Sequence, residues 1–141
     1  MKRLFFGEYT HTLDVKNRLF IPAQFRDELG ARFVICKSPP GNTCVFAYSE
    51  ERFKELGQKI KEKAGLRQQR FAFEGITTVE IDKSGRITIN QKLCDYATLK
   101  KNVVVFGAFD RIEIWEEEKF RLEQQLASQE SVGENQVIIP Y

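Results

Sequence analysis

Two short turns combine a carboxylate with cationic side chains at a fixed spacing. The first reads Asp14-Val15-Lys16-Asn17-Arg18 and the second reads Asp82-Lys83-Ser84-Gly85-Arg86. An Asp at the start of such a turn accepts backbone N–H groups, while Lys and Arg project as donors towards an anionic partner. A single turn of this kind is more often a locally paired, solvated loop. The pattern therefore needs support from the elements that position it.

The sequence offers little for nucleophilic or metal chemistry. His11 is the single histidine and has no nearby ligand set, which argues against a zinc site or a Ser–His–carboxylate site. The odd number of cysteines, without a Cys-x-x-Cys pair, predicts buried reduced thiols at Cys36, Cys44 and Cys94, with a Cys36–Cys44 contact as the alternative. The acidic run 116–118 is typical of a solvated first helical turn. We expect no catalytic residue, cofactor, metal or small-molecule substrate.

The composition indicates a folded domain without membrane segments. The chain has 141 residues, 42% of them hydrophobic and 12% aromatic, which is enough to build a core. Its longest apolar stretch, residues 103–109, is far shorter than the roughly 20 residues of a spanning helix. The first residues lack the apolar region of a secretory signal. We expect a protein that stays in the cytoplasm.

Strands are predicted on both sides of the first turn, at residues 9–13 and 19–21. Pro22 favours the start of a short helix over 23–29, because its missing N–H would be unsatisfied there anyway, and Gly30 favours its end. Strands at 32–37 and 43–48 flank the loop Ser38-Pro39-Pro40-Gly41-Asn42, a strong turn signal, and form a hairpin.

A longer helix follows the hairpin. Ser49 is a suitable cap, and the helix is predicted to run to about residue 64. Phe53, Leu56 and Ile60 lie on one face of it. Residues 68–73 then connect to the next strand without a flexible linker.

The same arrangement occurs twice. At an offset of 68 residues, seven positions match: Phe5 with Phe73, Gly7 with Gly75, Leu13 with Ile81, Asp14 with Asp82, Arg18 with Arg86, Leu19 with Ile87 and Ile21 with Ile89. At an offset of 67, four more match: Val45 with Ile112, Ala47 with Ile114, Tyr48 with Trp115 and Phe53 with Phe120. Asn17 aligns with Gly85, and both residues tolerate the left-handed backbone that a tight turn needs. We interpret the chain as two copies of one unit.

The second copy repeats the predicted order of elements. Strands are expected at 77–81, 87–89, 103–106 and 111–115, with helices at 91–96 and 116–127. Phe120, Leu126 and Leu122 give the last helix an apolar side. The modules themselves are placed at residues 7–54 and 77–121. The tail 131–141 is expected to be disordered or to add a strand to a neighbour.

Charge is distributed unevenly along the chain. The total is 22 Lys and Arg against 20 Asp and Glu, or +2. Residues 1–70 hold 14 Lys and Arg against 8 Asp and Glu, and residues 71–141 hold 8 against 12. The first part, at +6, suits an anionic partner, and its contrast with the second part, at −4, suits self-association.

Taken together, these residues resemble the MraZ family, bacterial regulators built from two tandem modules of the AbrB type. In the first module and the connector, the resemblance rests on Gly7, Leu13, Asp14, Lys16, Arg18, Leu19, Ile21, Pro22, Phe25, Arg26, Arg67, Arg70 and Phe71. In the second module it rests on Asp82, Gly85, Arg86, Gly107, Arg111, Ile112, Glu113, Ile114 and Trp115. Asn17 stands where the family usually has Gly, and Asn90 stands where it usually has Pro. Asn90 therefore specifies the second short helix less strongly than Pro22 specifies the first.

The resemblance implies an α+β fold, mainly β. Two tandem AbrB-like swapped-hairpin modules would form a closed, barrel-like pseudo-symmetric unit with flanking helices. It also implies a ring-like homo-oligomer, an octamer being one such ring, which binds double-stranded DNA at repeated operator boxes upstream of the division and cell-wall gene cluster. Such a protein would be nucleoid-associated.

DNA contacts can then be assigned to the turns. Arg18 is the candidate for base reading because its planar fork pairs with two guanine acceptors, and Lys16 is the candidate for phosphate contact. Lys83 and Arg86 either bind DNA or serve the fold. The turn-structuring residues are Asp14, Asn17, Asp82 and Gly85. Three further arginines are either ordinary surface charges or extend the basic surface: Arg3, Arg26 and Arg32.

Two other classes of function remain open. AbrB-like folds also occur in antitoxins and other interaction modules, in which case the segment from Ser131 would hold the partner protein. A nuclease built on a related β-barrel is the second alternative, with Asp14 or Asp82 as the carboxylate that cleavage requires.

Overall fold

The computed structural model describes residues 4–41 and 43–130 of the chain. Its first copy contains β1 (Glu8–Thr12), β2 (Arg18–Phe20), α1 (Ala23–Leu29), β3 (Arg32–Lys37), β4 (Val45–Ser49), α2 (Glu50–Lys63) and α3 (Leu66–Phe73). Its second copy contains β5 (Thr77–Glu80), β6 (Arg86–Thr88), α4 (Gln91–Tyr96), β7 (Asn102–Gly107), β8 (Ile112–Glu116) and α5 (Glu117–Gln129). Every predicted helix and strand is present, with bounds shifted by at most two residues. The tail 131–141, Arg3 and Asn42 lie outside the described residues.

Strands are exchanged between the two copies. The main sheet is antiparallel and has the order β1-β7-β8-β4-β3-β5, so β1 of the first copy pairs with β7, and β5 of the second copy pairs with β3. The remaining strands, β2 and β6, pair with each other. Exchanging the copies reverses this order without changing it, which places a pseudo-two-fold axis between β4 and β8. The interleaved α+β fold with tandem modules is confirmed.

The six-stranded sheet is open, which corrects the expectation of a closed barrel. Its edges are β1 and β5. After each edge strand the chain turns at Asp14 or Asp82 and enters β2 or β6, which hydrogen-bond only to each other in the described structure. The ladder of β2 and β6 packs against the sheet through side chains instead. Leu19 and Ile87 from this ladder join the same buried cluster as Ile35 and Ile112 from the sheet.

The sheet is covered on both faces. Phe25 of α1 and Leu93 of α4 complete the main core on the face that carries the ladder. On the other face, Phe120 of α5 packs on Trp115 with ring centroids 5.9 Å apart. The central strand β8 is buried along its whole length, which explains its apolar sequence.

The backbone repeats even where side chains differ. Within residues 4–41 and 43–130, eight residues have a positive φ, and they form four pairs at an offset of 68: Gly7 and Gly75, Asn17 and Gly85, Gly30 and Thr98, Gly41 and Phe109. The two modules therefore share their strained backbone positions as well as their order of elements.

Both short helices start in the same way. Pro22 lies just before α1 with ψ of 140°, and Asn90 lies just before α4 with ψ of 150°. The Pro22 carbonyl accepts the N–H groups of Phe25 and Arg26, and the Asn90 carbonyl accepts the equivalent pair. The Asn90 side chain also donates to the Gly75 carbonyl at 3.3 Å. This tertiary contact holds the helix start that the sequence specified only weakly.

The connector contains a helix that the sequence did not predict. Residues 68–73 belong to α3, which the chain enters at Gly65 after α2 has ended. Lys37 of β3 anchors α3, since its Nζ lies 4.4 Å from the centroid of the Phe71 ring and donates to Glu74 at 2.7 Å. A helix of eight residues is marginal by itself, so these contacts with β3 stabilise it.

Two details of the helix ends and faces differ from expectation. Ser49 caps α2 as predicted, by accepting the Arg52 N–H. Glu116 does not belong to a solvated helical turn, because it is 7% exposed and its side chain caps α5. The predicted apolar side of α5 is also wrong: Phe120 is buried, whereas Leu122 and Leu126 are exposed. Helical periodicity alone did not show which apolar residues face the sheet.

The three thiols are free and buried, as predicted. Burial raises the pKa of Cys36 to about 12 and the pKa of Cys94 to about 11. Burial also raises the pKa of Cys44, and the nearby Glu113 charge adds to the shift. Native thiols of this kind are poor nucleophiles. Separately, no helix in the described part of the chain is long and apolar enough to cross a membrane.

Candidate nucleic-acid interface

The first turn is organised around one carboxylate. Asp14 Oδ1 accepts the backbone N–H groups of Lys16 at 2.9 Å and Arg18 at 2.8 Å. Its Oδ2 accepts Nε of Arg18 at 2.6 Å. The backbone hydrogen bond from Arg18 is the main cause of the lowered pKa of Asp14. Asp14 thus stays ionised near neutral pH and fixes both the turn and the Arg18 side chain.

The second turn repeats this network. Asp82 Oδ1 accepts the N–H groups of Ser84 and Arg86, both at 2.9 Å, and its Oδ2 accepts Nε of Arg86 at 3.2 Å. The pKa of Asp82 is lowered for the same leading reason, the backbone hydrogen bond from Arg86. The turn-structuring prediction for the two Asp residues thus rests on the same set of bonds in each copy.

Each turn is also bonded to the other copy. Asn17 and Gly85 bend the backbone with φ of 59° and 81°. The Asn17 carbonyl accepts the Ile89 N–H at 2.8 Å, and the Gly85 carbonyl accepts the Ile21 N–H at 2.9 Å. The Asn17 side chain donates to Gln91 at 3.1 Å. These bonds hold both turns rigidly at the two ends of the β2–β6 ladder.

The register of this ladder puts two arginines on one face. Arg18 pairs with Thr88, Leu19 with Ile87 and Phe20 with Arg86. Since neighbouring residues in a strand point to opposite faces, Arg18 and Arg86 lie diagonally on one side while Leu19 and Ile87 point into the core. Arg86 Nη1 also approaches Asp14 Oδ2 at 3.8 Å. The two predicted arginines are thus brought together by pairing between the copies.

Both guanidinium groups are held and still accessible. The side chains of Arg18 and Arg86 are 34% and 32% exposed. Each bonds its turn through Nε, which for Arg18 leaves Nη1 and Nη2 without a hydrogen-bond partner among the described residues. A planar group fixed by an Asp can pair with two acceptors at little entropic cost.

The two predicted lysines are not equivalent. Lys16 aligns with Ser84, and Lys83 aligns with Val15, which is 99% exposed. Both lysines are exposed, and neither forms an ion pair with another residue in the described ranges. The arginines therefore follow the pseudo-symmetry of the fold, whereas the lysines break it.

Carboxylate chemistry is less well supported at this site. In the parts of the chain that the structure describes, no three His, Cys, Asp or Glu side chains are grouped as a metal site would require. His11 packs on Phe20 with ring centroids 5.0 Å apart. The oxygens of Asp14 and Asp82 are occupied by the turn bonds described above.

Comparison with known proteins decides the family. A family model described as "MraZ protein, putative antitoxin-like" matches the chain twice, at residues 4–70 and 72–136. The chain belongs to the MraZ family. It is 42% identical to "Transcriptional regulator MraZ" of Heliobacterium modesticaldum, an alignment that covers 93% of this chain and 95% of that protein. It is 40% identical to the protein of the same name from Desulforamulus reducens, with 94% and 96% covered.

A third relative with the same name, from Moorella thermoacetica, is 44% identical over 79% of this chain and 80% of its own length. The MraZ resemblance carried by the two Asp-centred turns is thus confirmed. Both matched repeats include one of these turns and one strand of the β2–β6 ladder.

Three cations near the turns of this MraZ chain were missed or left undecided by the sequence. Lys100 and Lys101 lie beside the first turn, where the Lys101 carbonyl accepts the Leu13 N–H at 2.8 Å. Arg26 stacks on Phe20 at 5.2 Å, beside the second turn. The two lysines had a detectable signal: they fall where the offset between the copies changes from 68 at β1 and β5 to 70 at β3 and β7. Arg32 does not join them, because it faces Glu50 and Glu80.

Gly85→Ala is expected to destabilise the fold by about 1–3 kcal/mol. A Cβ at this position would lie 2.8 Å from Cε2 of Phe20 and 2.9 Å from Nη1 of Arg26, on a backbone that L-residues rarely adopt. Urea unfolding followed by circular dichroism measures the change. Asn17→Gly at the equivalent position is the control and should shift stability by less than about 1 kcal/mol. Equal stability of Gly85→Ala and wild type would contradict the tight packing of this turn.

Proposed function

We propose that this chain is a transcriptional regulator that binds double-stranded DNA through the outward face of the β2–β6 ladder. The observation that carries the proposal is the placement of Arg18 and Arg86 on one exposed face, each fixed by an Asp-centred turn. The names of the MraZ relatives support the regulatory role. Regulators of this kind work in the cytoplasm at the nucleoid.

The ladder suits direct reading of base edges. The major groove of B-DNA admits a two-stranded β-ribbon, and Arg paired with guanine O6 and N7 is the commonest specific contact. Arg18 is assigned to a guanine because its terminal amino groups are available. Arg86 takes the equivalent role in the second copy. Lys16 and Lys83, exposed at opposite ends of the ladder, contact phosphates and fix the register.

Assembly supplies the affinity that one ladder lacks. Two arginines and a few phosphate contacts give modest binding to one short box. In a ring-like homo-oligomer, each further ladder binds a neighbouring box of the same DNA at high effective concentration. We therefore propose that the operator is a set of repeated boxes, located upstream of the division and cell-wall gene cluster. An octamer is one ring of this kind.

The occupied carboxylates favour binding over catalysis. Asp14 and Asp82 are the acids that a nuclease reading would use, and both hold turns through backbone N–H groups. Removing either carboxylate would loosen a turn that carries an arginine. We propose a non-enzymatic role for both.

Selection from sheared genomic DNA of the source organism tests this function. Immobilised protein should enrich a few discrete fragments that contain repeated boxes, because base contacts add to the phosphate contacts. Uniform recovery of all fragments at physiological salt would sink the proposal of sequence-specific binding. Plasmid incubated with the protein and Mg²⁺ should remain uncut, and cleavage that depends on Asp14 would favour the nuclease alternative.

A further inference from the structure

An apolar groove of about 350 Å³ lies on the outer side of the sheet, between strands β3 and β4 and helices α2 and α3. Its walls include Tyr48 from β4, Phe53 and Ile60 from α2 and Phe71 from α3. No residue of α2 or α3 is fully buried, although both helices carry apolar side chains. A groove of this kind provides a surface for an apolar side chain from a partner.

The groove exists because the two copies differ at one position. Cys36 pairs with Phe46 in the first copy as Phe106 pairs with Glu113 in the second, so Cys36 and Phe106 are equivalent. The Phe106 ring packs on Phe120 with centroids 5.2 Å apart and fills the space beneath α5. A thiol at the equivalent position leaves the corresponding space beneath α2 open.

The helix α5 has the opposite property, an unpartnered apolar stripe. Leu122 and Leu126 are 53% and 51% exposed and lie four residues apart, on the same side of the helix. They follow buried Phe120 by two and six residues, which directs them away from the sheet. The equivalent residues of α2 at the offset of 67 are Glu55 and Lys59. Only the second copy therefore combines this helix with an apolar outer stripe.

The charges around the groove and around the stripe are complementary. Residues 50–73, which contain α2 and α3, hold seven Lys and Arg against four Glu. Residues 117–130, which contain α5, hold four Glu against two cations. Both of these cations are engaged within the chain, since Lys119 donates to the Thr43 carbonyl at 2.6 Å and Arg121 bonds Glu8. The stripe thus presents acidic surroundings to the basic rim of the groove.

We propose that Leu122 and Leu126 of α5 in one chain insert into the apolar groove between α2 and α3 of a second copy. Each chain then offers one stripe and one groove on different helices, so the contact is heterologous and repeats from chain to chain until the ring closes. This inference rests on the proposed oligomer and names the surfaces that build it. It does not depend on the DNA contact, because the stripe and the groove lie on the outer side of the sheet, opposite the β2–β6 ladder.

The first test is the mass of the particle in the absence of DNA. Light scattering after gel filtration should give a multiple of 16.4 kDa for the wild type and a shift to 16.4 kDa for the double variant Leu122→Ser with Leu126→Ser. Gln124→Ser with Gln125→Ser on the same helix is the control for the lower helix propensity of serine, and it should keep the oligomer. A wild-type monomer, or a leucine variant that keeps the wild-type mass, would overturn the inference.

The second test locates the contact without disturbing it. Because the native thiols are buried, a bismaleimide should join only introduced cysteines. A mixture of Leu126→Cys chains and Gln68→Cys chains should give a cross-linked heterodimer, since Gln68 lines the groove and is exposed. Asp27→Cys on exposed α1 replaces Gln68→Cys in the control mixture and should give none. Preferential Leu126→Cys homodimers would show a symmetric α5 contact and overturn the proposal.

The two proposals fail in different ways. The leucine variant should bind a single box with wild-type affinity and lose the gain from additional boxes. A wild-type ring that passes both assembly tests without binding any DNA would contradict the proposed function and leave the interface in place. DNA binding by a ring that ignores both leucine substitutions would do the reverse.

Discussion

Arg18→Ala should weaken binding to a single operator box by about 1–3 kcal/mol, or roughly 5- to 150-fold. The reason is that the Arg18 fork is fixed by Asp14 through Nε, so its terminal amino groups are ready to pair with a guanine. Binding to unrelated DNA should change little, because phosphate contacts supply that affinity. Fluorescence anisotropy with one-box and scrambled duplexes at one fixed salt concentration measures both effects.

Two variants separate base reading from charge. Arg18→Lys keeps the charge and loses the fork, so it should lose most of the discrimination between box and scrambled DNA. Arg32→Ala removes a surface arginine that faces Glu50 and Glu80, and it should leave box binding unchanged. If Arg18→Lys binds the box as well as wild type does, the arginine contacts phosphate and the guanine assignment fails.

Arg86 offers a matched comparison within one chain. It occupies the equivalent position in the second copy and bonds Asp82 in the same way, at a longer Nε distance of 3.2 Å. Similar losses for Arg86→Ala and Arg18→Ala would show that both copies read bases. A loss confined to Arg18→Ala would make the second turn structural.

Affinity should rise by about 10² to 10⁴ between an operator with one box and an operator with several boxes. Each added box converts a further ladder of the same particle into an intramolecular binder. The gel-shift midpoint for duplexes with one to four boxes at constant total length measures this gain. Equal midpoints for all four duplexes would remove the multivalent account.

Salt dependence provides an independent check on this account. Each phosphate contact made by a lysine contributes about −0.9 to the slope of log K against log salt. Lys16→Ala should therefore reduce the magnitude of the slope for a one-box duplex by about 1, with little effect on discrimination between sequences. Lys54→Ala on α2, away from the ladder, is the matched control and should leave the slope unchanged.

The sequence by itself determined the local geometry of the turns. The bonds from Asp14 to the N–H groups of Lys16 and Arg18 join residues two and four apart, so they follow from residue types in order. The hairpin between β3 and β4 was predicted for the same reason, since a short Pro-rich and Gly-rich loop joins its strands. The offset of 68 added the second copy and, through resemblance, the family.

Other features needed contacts between distant residues. The helix α3 forms because Lys37 and Phe71 meet across 34 residues of sequence. The exposure of Leu122 and Leu126 depends on how α5 rests on the sheet through Phe120. The sheet stays open because β2 and β6 bond each other instead of its edges. No local pattern specifies any of these three outcomes.

The candidate site combines both kinds of information. Residue order fixes each arginine beside its Asp, because a five-residue turn closes through its own backbone. That Arg18 and Arg86 lie on one face depends on the pairing of Leu19 with Ile87, residues 68 apart that meet only when the two copies interleave. Burial of these two apolar side chains in the common core turns the arginines on the opposite face of the strands outward, and only the tertiary structure could decide that.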